Sequence, residues 1–146
     1  FIKETVKEIT IKAGQKCTAV RRIIVPEDLI DEVQNGISKR LESTKIGDPS
    51  VEGVRMGALA TRTQVERVSD SVTELCKSQK IVFGDMENFE VHGANKNAGA
   101  FFSPILFRNN NLRFRIEWTT NPLAFLPGQV LRHQHEQRHS RTPSVQ

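Results

Sequence analysis

The segment AGQKCTAVRR, residues 13–22, sets Cys17 three positions after Gly14, beside Lys16 and just ahead of Arg21 and Arg22. A cysteine attacks as its thiolate, which cationic neighbours and the free N–H groups at a helix start both favour. Lys16 meets the first condition, and a short turn predicted to begin at Thr18 would meet the second. Gly14 allows a tight backbone turn that presents the sulfur on a loop. The competing reading is that a lone cysteine between a helix and a strand is a small core hydrophobe. Arg21 and Arg22 could bind an acidic substrate such as a CoA ester. Cys76, next to Leu75, reads as structural packing.

The elements that position Cys17 follow from periodicity. Ile2, Val6 and Ile9 recur at helical spacing in a segment ending at Ala13-Gly14, and Gly commonly follows a helix C-terminus. RIIVPE reads as a buried strand stopped by Pro26. Residues 27–43 place Ile30, Val33, Ile37 and Leu41 on one face, with acidic residues early and Lys39 and Arg40 late, as the helix dipole prefers. IGDPSVEGVRMGAL reads as a turn-rich connection, with Gly47, Asp48 and Pro49 as turn chemistry. Thr63 and Glu66 match a capping box for a helix carrying Val65, Val68, Val72 and Leu75. KIVFG and AFFSPILF are two further predicted strands around the polar loop HGANKNAGA. This order predicts an α/β fold with crossover helices.

The net charge of +4 is unevenly spread. Residues 1–107 carry 15 Lys and Arg against 15 Asp and Glu, whereas residues 108–146 carry six Arg, no Lys and two Glu. A compositional boundary therefore falls near Arg108. Beyond it, residues 112–118 predict a short strand, and disorder is expected from Leu131 onward. His133, His135 and His139 have a spacing open to a metal, but a metal site needs a fixed second shell, so none is expected. The six arginines with Phe114 and Trp118 could contact nucleic acid, yet no recognisable module surrounds them. No apolar run is long enough to span a bilayer, FIKETVKEITIK is too charged for a signal peptide, and two cysteines make no disulfide framework. A cytoplasmic protein without nucleic-acid or membrane partners is the expectation.

AGQKCTAVRRIIVPEDLID resembles the catalytic-cysteine segment of the aldehyde dehydrogenase superfamily, whose pattern is G-Q-x-C-x-A with an arginine five residues after the cysteine. Gly14, Gln15, Cys17, Ala19 and Arg22 fall on it. KIGDP at 45–49, MGAL at 56–59 and GAFFSPILF at 99–107 are similar, in order and spacing, to later landmarks of that family. Within the superfamily the likeness is greatest to the ring-opening branch of aerobic phenylacetate degradation, which often carries a hydratase domain on the same chain.

The resemblance implies that Cys17 attacks an aldehyde, with the oxyanion held partly by its own N–H. It further implies hydride transfer to NAD or NADP, and release of the acid by water activated by a carboxylate. Gln64 lies near a position that approaches the cofactor ribose. Arg22 would brace the cysteine loop. The family's cofactor domain, general base and oxyanion asparagine precede the cysteine. Phe1, rather than Met, opens the sequence, and only 16 residues stand before Cys17, so a fragment is expected. Where a Glu-x-Phe-Gly-Pro segment should follow, RNNNLRFRIEW stands, as a shifted reading frame or chimeric end would produce.

The expected architecture is thus a partial aldehyde dehydrogenase catalytic domain over residues 1–107 with an irregular, disordered C-terminal tail over 108–146. The implied partner is a small-molecule aldehyde, with homo-oligomers for the full-length protein and no activity for this chain alone. A non-catalytic fragment that binds polyanions through its basic tail is the alternative.

Overall fold

The computed structural model describes residues 1–109 and, as backbone, residues 116–119. Three helices, α1 (Ile2–Thr10), α2 (Ile30–Glu42) and α3 (Arg62–Leu75), alternate with six strands. These are β1 (Arg22–Ile23), β2 (Lys45–Ile46), β3 (Val54–Met56), β4 (Lys80–Phe83), β5 (Ile105–Arg108) and β6 (Ile116–Thr119). The α/β class holds.

Strand β5 organises the packing. Successive side chains of a strand point to opposite faces, and β5 uses both. Leu106 joins Val6, Ile9, Val33, Ile37 and Leu41 of α1 and α2 in one core. Ile105 and Phe107 join Val68, Val72 and Leu75 of α3 in a second. Helices therefore cover both faces of the sheet, which is why Ile105, Leu106 and Phe107 of β5 are all buried while α1, α2 and α3 are amphipathic. The four buried positions of α2 are Ile30, Val33, Ile37 and Leu41, as the spacing predicts, and Asp31 and Glu32 open the helix that Lys39 and Arg40 close.

Several expectations change. The main sheet, ordered β1-β6-β5-β4, is antiparallel at every pairing rather than joined by parallel crossovers. The turn-rich connection contains a parallel pair, β2 with β3, where Gly47 also bridges to His92. A Cβ at Gly47 would sit 2.0 Å from the His92 carbonyl oxygen, so only glycine fits. RIIVPE is not wholly buried: Ile23 and Val25 face the core while Ile24 is 69% exposed. The cap of α3 is Thr61, whose hydroxyl accepts from the Gln64 N–H, and not Thr63. The strand predicted at 112–118 appears as β6, shifted to 116–119. Residues 110–115 and 120–146, with the three tail histidines, lie outside the described residues.

Candidate active site around Cys17

Helix α1 ends where Thr10 turns its hydroxyl back onto the Val6 carbonyl oxygen at 2.9 Å. The chain then reverses through three left-handed residues, Lys12 (φ 52°), Ala13 (φ 51°) and Gly14 (φ 70°). For non-glycine residues this conformation costs roughly 1–2 kcal/mol each, so surrounding contacts must hold it. Ala13 is 1% exposed and packs in the second core. Gln15 adds a polar tether: its amide nitrogen donates to the Lys12 carbonyl oxygen at 3.1 Å, and its amide oxygen accepts from the Ala60 N–H at 2.8 Å.

After this anchored bend, Lys16 to Ala19 form a tight turn closed by the Ala19 N–H on the Lys16 carbonyl oxygen at 3.0 Å, with Cys17 and Thr18 at its tip. Cys17 is exposed among the described residues rather than packed in either core. Its backbone N–H meets no acceptor among the described residues.

The electrostatic setting departs from expectation. No helix starts at Thr18; the turn is a single bend. The Lys16 ammonium is 2.6 Å from a carboxylate oxygen of Glu8 on α1, so a carboxylate is its close partner. Arg21 braces the turn: its guanidinium donates to the carbonyl oxygens of Lys16 (3.1 Å), Cys17 (3.3 Å) and Ala19 (3.1 Å). Arg22 is exposed on β1, in register with Glu117. Cys76 caps the C-terminal end of α3 and is exposed rather than packed.

Gln64 lies close to this arrangement. Its side-chain oxygen accepts from the Ala60 N–H at 3.1 Å, the same donor that Gln15 uses. Gln64 and Gln15, which stands two residues before Cys17, thus share one backbone amide donor. Residues that hold the loop and escape sequence reasoning are Glu8, Gln15 as a tether, and Arg21 as the brace. A dinucleotide needs a glycine-rich strand-to-helix turn for its phosphates. Among the described residues, α2 follows a 3-10 turn at Glu27–Leu29 and α3 is capped by Thr61, and neither entry is a glycine-rich turn of that kind.

Among the described residues, clefts of 420 Å³ beside Gly47, Pro49, Asn95 and Gly99, 340 Å³ around Asp85 and His92, and 600 Å³ beside Ile2 and Leu29 are present. None of the three is lined by Cys17.

The aldehyde dehydrogenase family matches this sequence over residues 1–118, and the chain belongs to that family. A 3,4-dehydroadipyl-CoA semialdehyde dehydrogenase of Aromatoleum evansii is 37% identical over 105 residues, covering 72% of this chain and 20% of the relative. A 4-trimethylaminobutyraldehyde dehydrogenase of Oryzias latipes is 30% identical over 96 residues, covering 66% and 19%. Aldehyde dehydrogenase C of Pseudomonas syringae, solved with NAD+ and octanal, superposes with a TM-score of 0.63 at 26% identity over 73% of this chain and 21% of its own. An aldehyde dehydrogenase of Mycobacterium tuberculosis, solved with NAD+, shares the fold at TM-score 0.62, with 24% identity over 73% and 21%. The chain spans about a fifth of the length of these relatives.

Proposed function

We propose that this chain is the nucleophile-bearing part of an NAD(P)-dependent aldehyde dehydrogenase whose substrate is a CoA-linked semialdehyde, as in the ring-opening branch of phenylacetate degradation. The observation that carries the reading is the exposed Cys17 at the tip of a turn fastened by Arg21 and Gln15. The substrate class comes from the name of the 37% identical relative.

In this reading the Cys17 thiolate adds to the aldehyde carbon. A carbon–sulfur bond forms as the carbonyl pair moves onto oxygen, and the unpartnered Cys17 N–H donates to that oxyanion. In this reading the chain's own share of the reaction is the formation of this adduct. Catalysis beyond it belongs to the whole enzyme.

Incubating the chain with a semialdehyde and then with iodoacetamide tests this. Mass spectrometry is expected to find Cys17 protected and Cys76 labelled, with no NAD(P)H formed. Equal labelling of both thiols would contradict the nucleophile, and sustained NAD(P)H formation would contradict the division of labour.

A further inference from the structure

Arg21 grips three carbonyl oxygens, two of which belong to the peptide units flanking Cys17. In a trans peptide the C=O and N–H point in opposite directions. The Lys16 carbonyl and the Cys17 N–H share one plane; the Cys17 carbonyl and the Thr18 N–H share the next. A single guanidinium holding both carbonyls, at 3.1 and 3.3 Å, therefore turns both N–H groups away from Arg21. Neither N–H has an acceptor among the described residues, and both residues are exposed. Two successive outward amides form a concavity suited to an anion.

We infer that Arg21 is a positioning residue: by gathering the carbonyls on one side, it aims the paired amides of Cys17 and Thr18 at the oxyanion of the Cys17 adduct. The inference rests on the catalytic reading of Cys17 and deepens it by giving a second donor, Thr18, and the residue that orients both. The planar fork matters here. A lysine keeps the charge but cannot span several carbonyls with fixed geometry.

Two electrophiles separate this role from general support of the loop. Acylation by p-nitrophenyl acetate forms the sulfur–carbonyl carbon bond, passes through a tetrahedral oxyanion, and breaks the ester bond to release p-nitrophenolate while the thiol proton goes to solvent. Alkylation by iodoacetamide displaces iodide and forms no oxyanion. The ratio of the two rates at Cys17, followed by mass spectrometry, reads the amide pair alone.

Arg21→Gln and Arg21→Lys are both expected to lower that ratio at least about tenfold, less than the roughly 10²–10³-fold cost of removing an oxyanion donor outright, because the amides stay and lose only their aim. An unchanged ratio in Arg21→Gln overturns the inference, and so does a wild-type ratio in Arg21→Lys, which would leave charge as the whole effect. Should Arg21→Gln unfold by circular dichroism, the Arg21→Lys ratio decides. If the unsubstituted chain acylates Cys17 no faster than Cys76, the catalytic reading itself falls, whatever Arg21 does.

Discussion

Lys16 sits beside Cys17 in sequence, yet its ammonium reaches back eight residues to Glu8 and leaves the orientation of the turn to Arg21. Adjacency along a chain says little about where a long side chain ends. Arg21 and Arg22 make the same point: consecutive residues of an extended segment face opposite ways, so one folds back onto the loop and the other lies exposed on β1. Asp85 shows how local hydrogen bonds set charge. Backbone N–H groups of Asn88 and Glu87, at 2.8 and 2.7 Å, hold its carboxyl below the ordinary 3.8. Asp48 is lowered likewise by the Ser50 N–H at 2.9 Å. Because the folded value lies below the unfolded one, each stabilises the fold at neutral pH, and that contribution disappears as pH falls through the lowered value. Thermal midpoints measured from neutral to acid are expected to fall less steeply for Asp85→Asn than for the parent. Equal slopes would contradict the role of this turn.

At the scale of elements, the helices were the most legible. Ile30, Val33, Ile37 and Leu41 mark the buried stripe of α2 because a 3.6-residue repeat is a local property. The α3 cap was not legible, since Thr61 with Gln64 and Thr63 with Glu66 share the same capping spacing, and only the fold chooses between them. The structure selects Thr61. Thr61→Ala is therefore expected to cost about 1 kcal/mol in denaturant unfolding, and Thr63→Ala less than about 0.5 kcal/mol. Reversed costs would contradict the observed helix start. The β2–β3 pair was hidden for a different reason: each run is two or three residues, and the pairing depends on Gly47 meeting His92 across distant sequence. The left-handed bend at Lys12 and Ala13 could not be read at all, because neither residue favours it and Ala13 is held there by the second core.

Across the whole molecule, β5 divides two cores, and the Cys17 loop is fastened to both sides of that division. Glu8 ties it to α1, while Ala13 and Gln15 tie it to the core and the entry of α3. The family motif pointed to Cys17, but the fastening was invisible in sequence because Ala60 lies 45 residues from Gln15. Both cysteines are exposed, so access does not separate them. Their backbone surroundings do: Cys17 stands at a turn with an outward amide that has no acceptor among the described residues, whereas Cys76 stands at the carbonyl end of α3, where the helix dipole disfavours an anion. Competitive iodoacetamide labelling of the intact chain near neutral pH, resolved by peptide mass spectrometry, is the most direct measurement. Cys17 is expected to react several-fold faster than Cys76; equal rates, or a faster Cys76, would contradict Cys17 as the nucleophile.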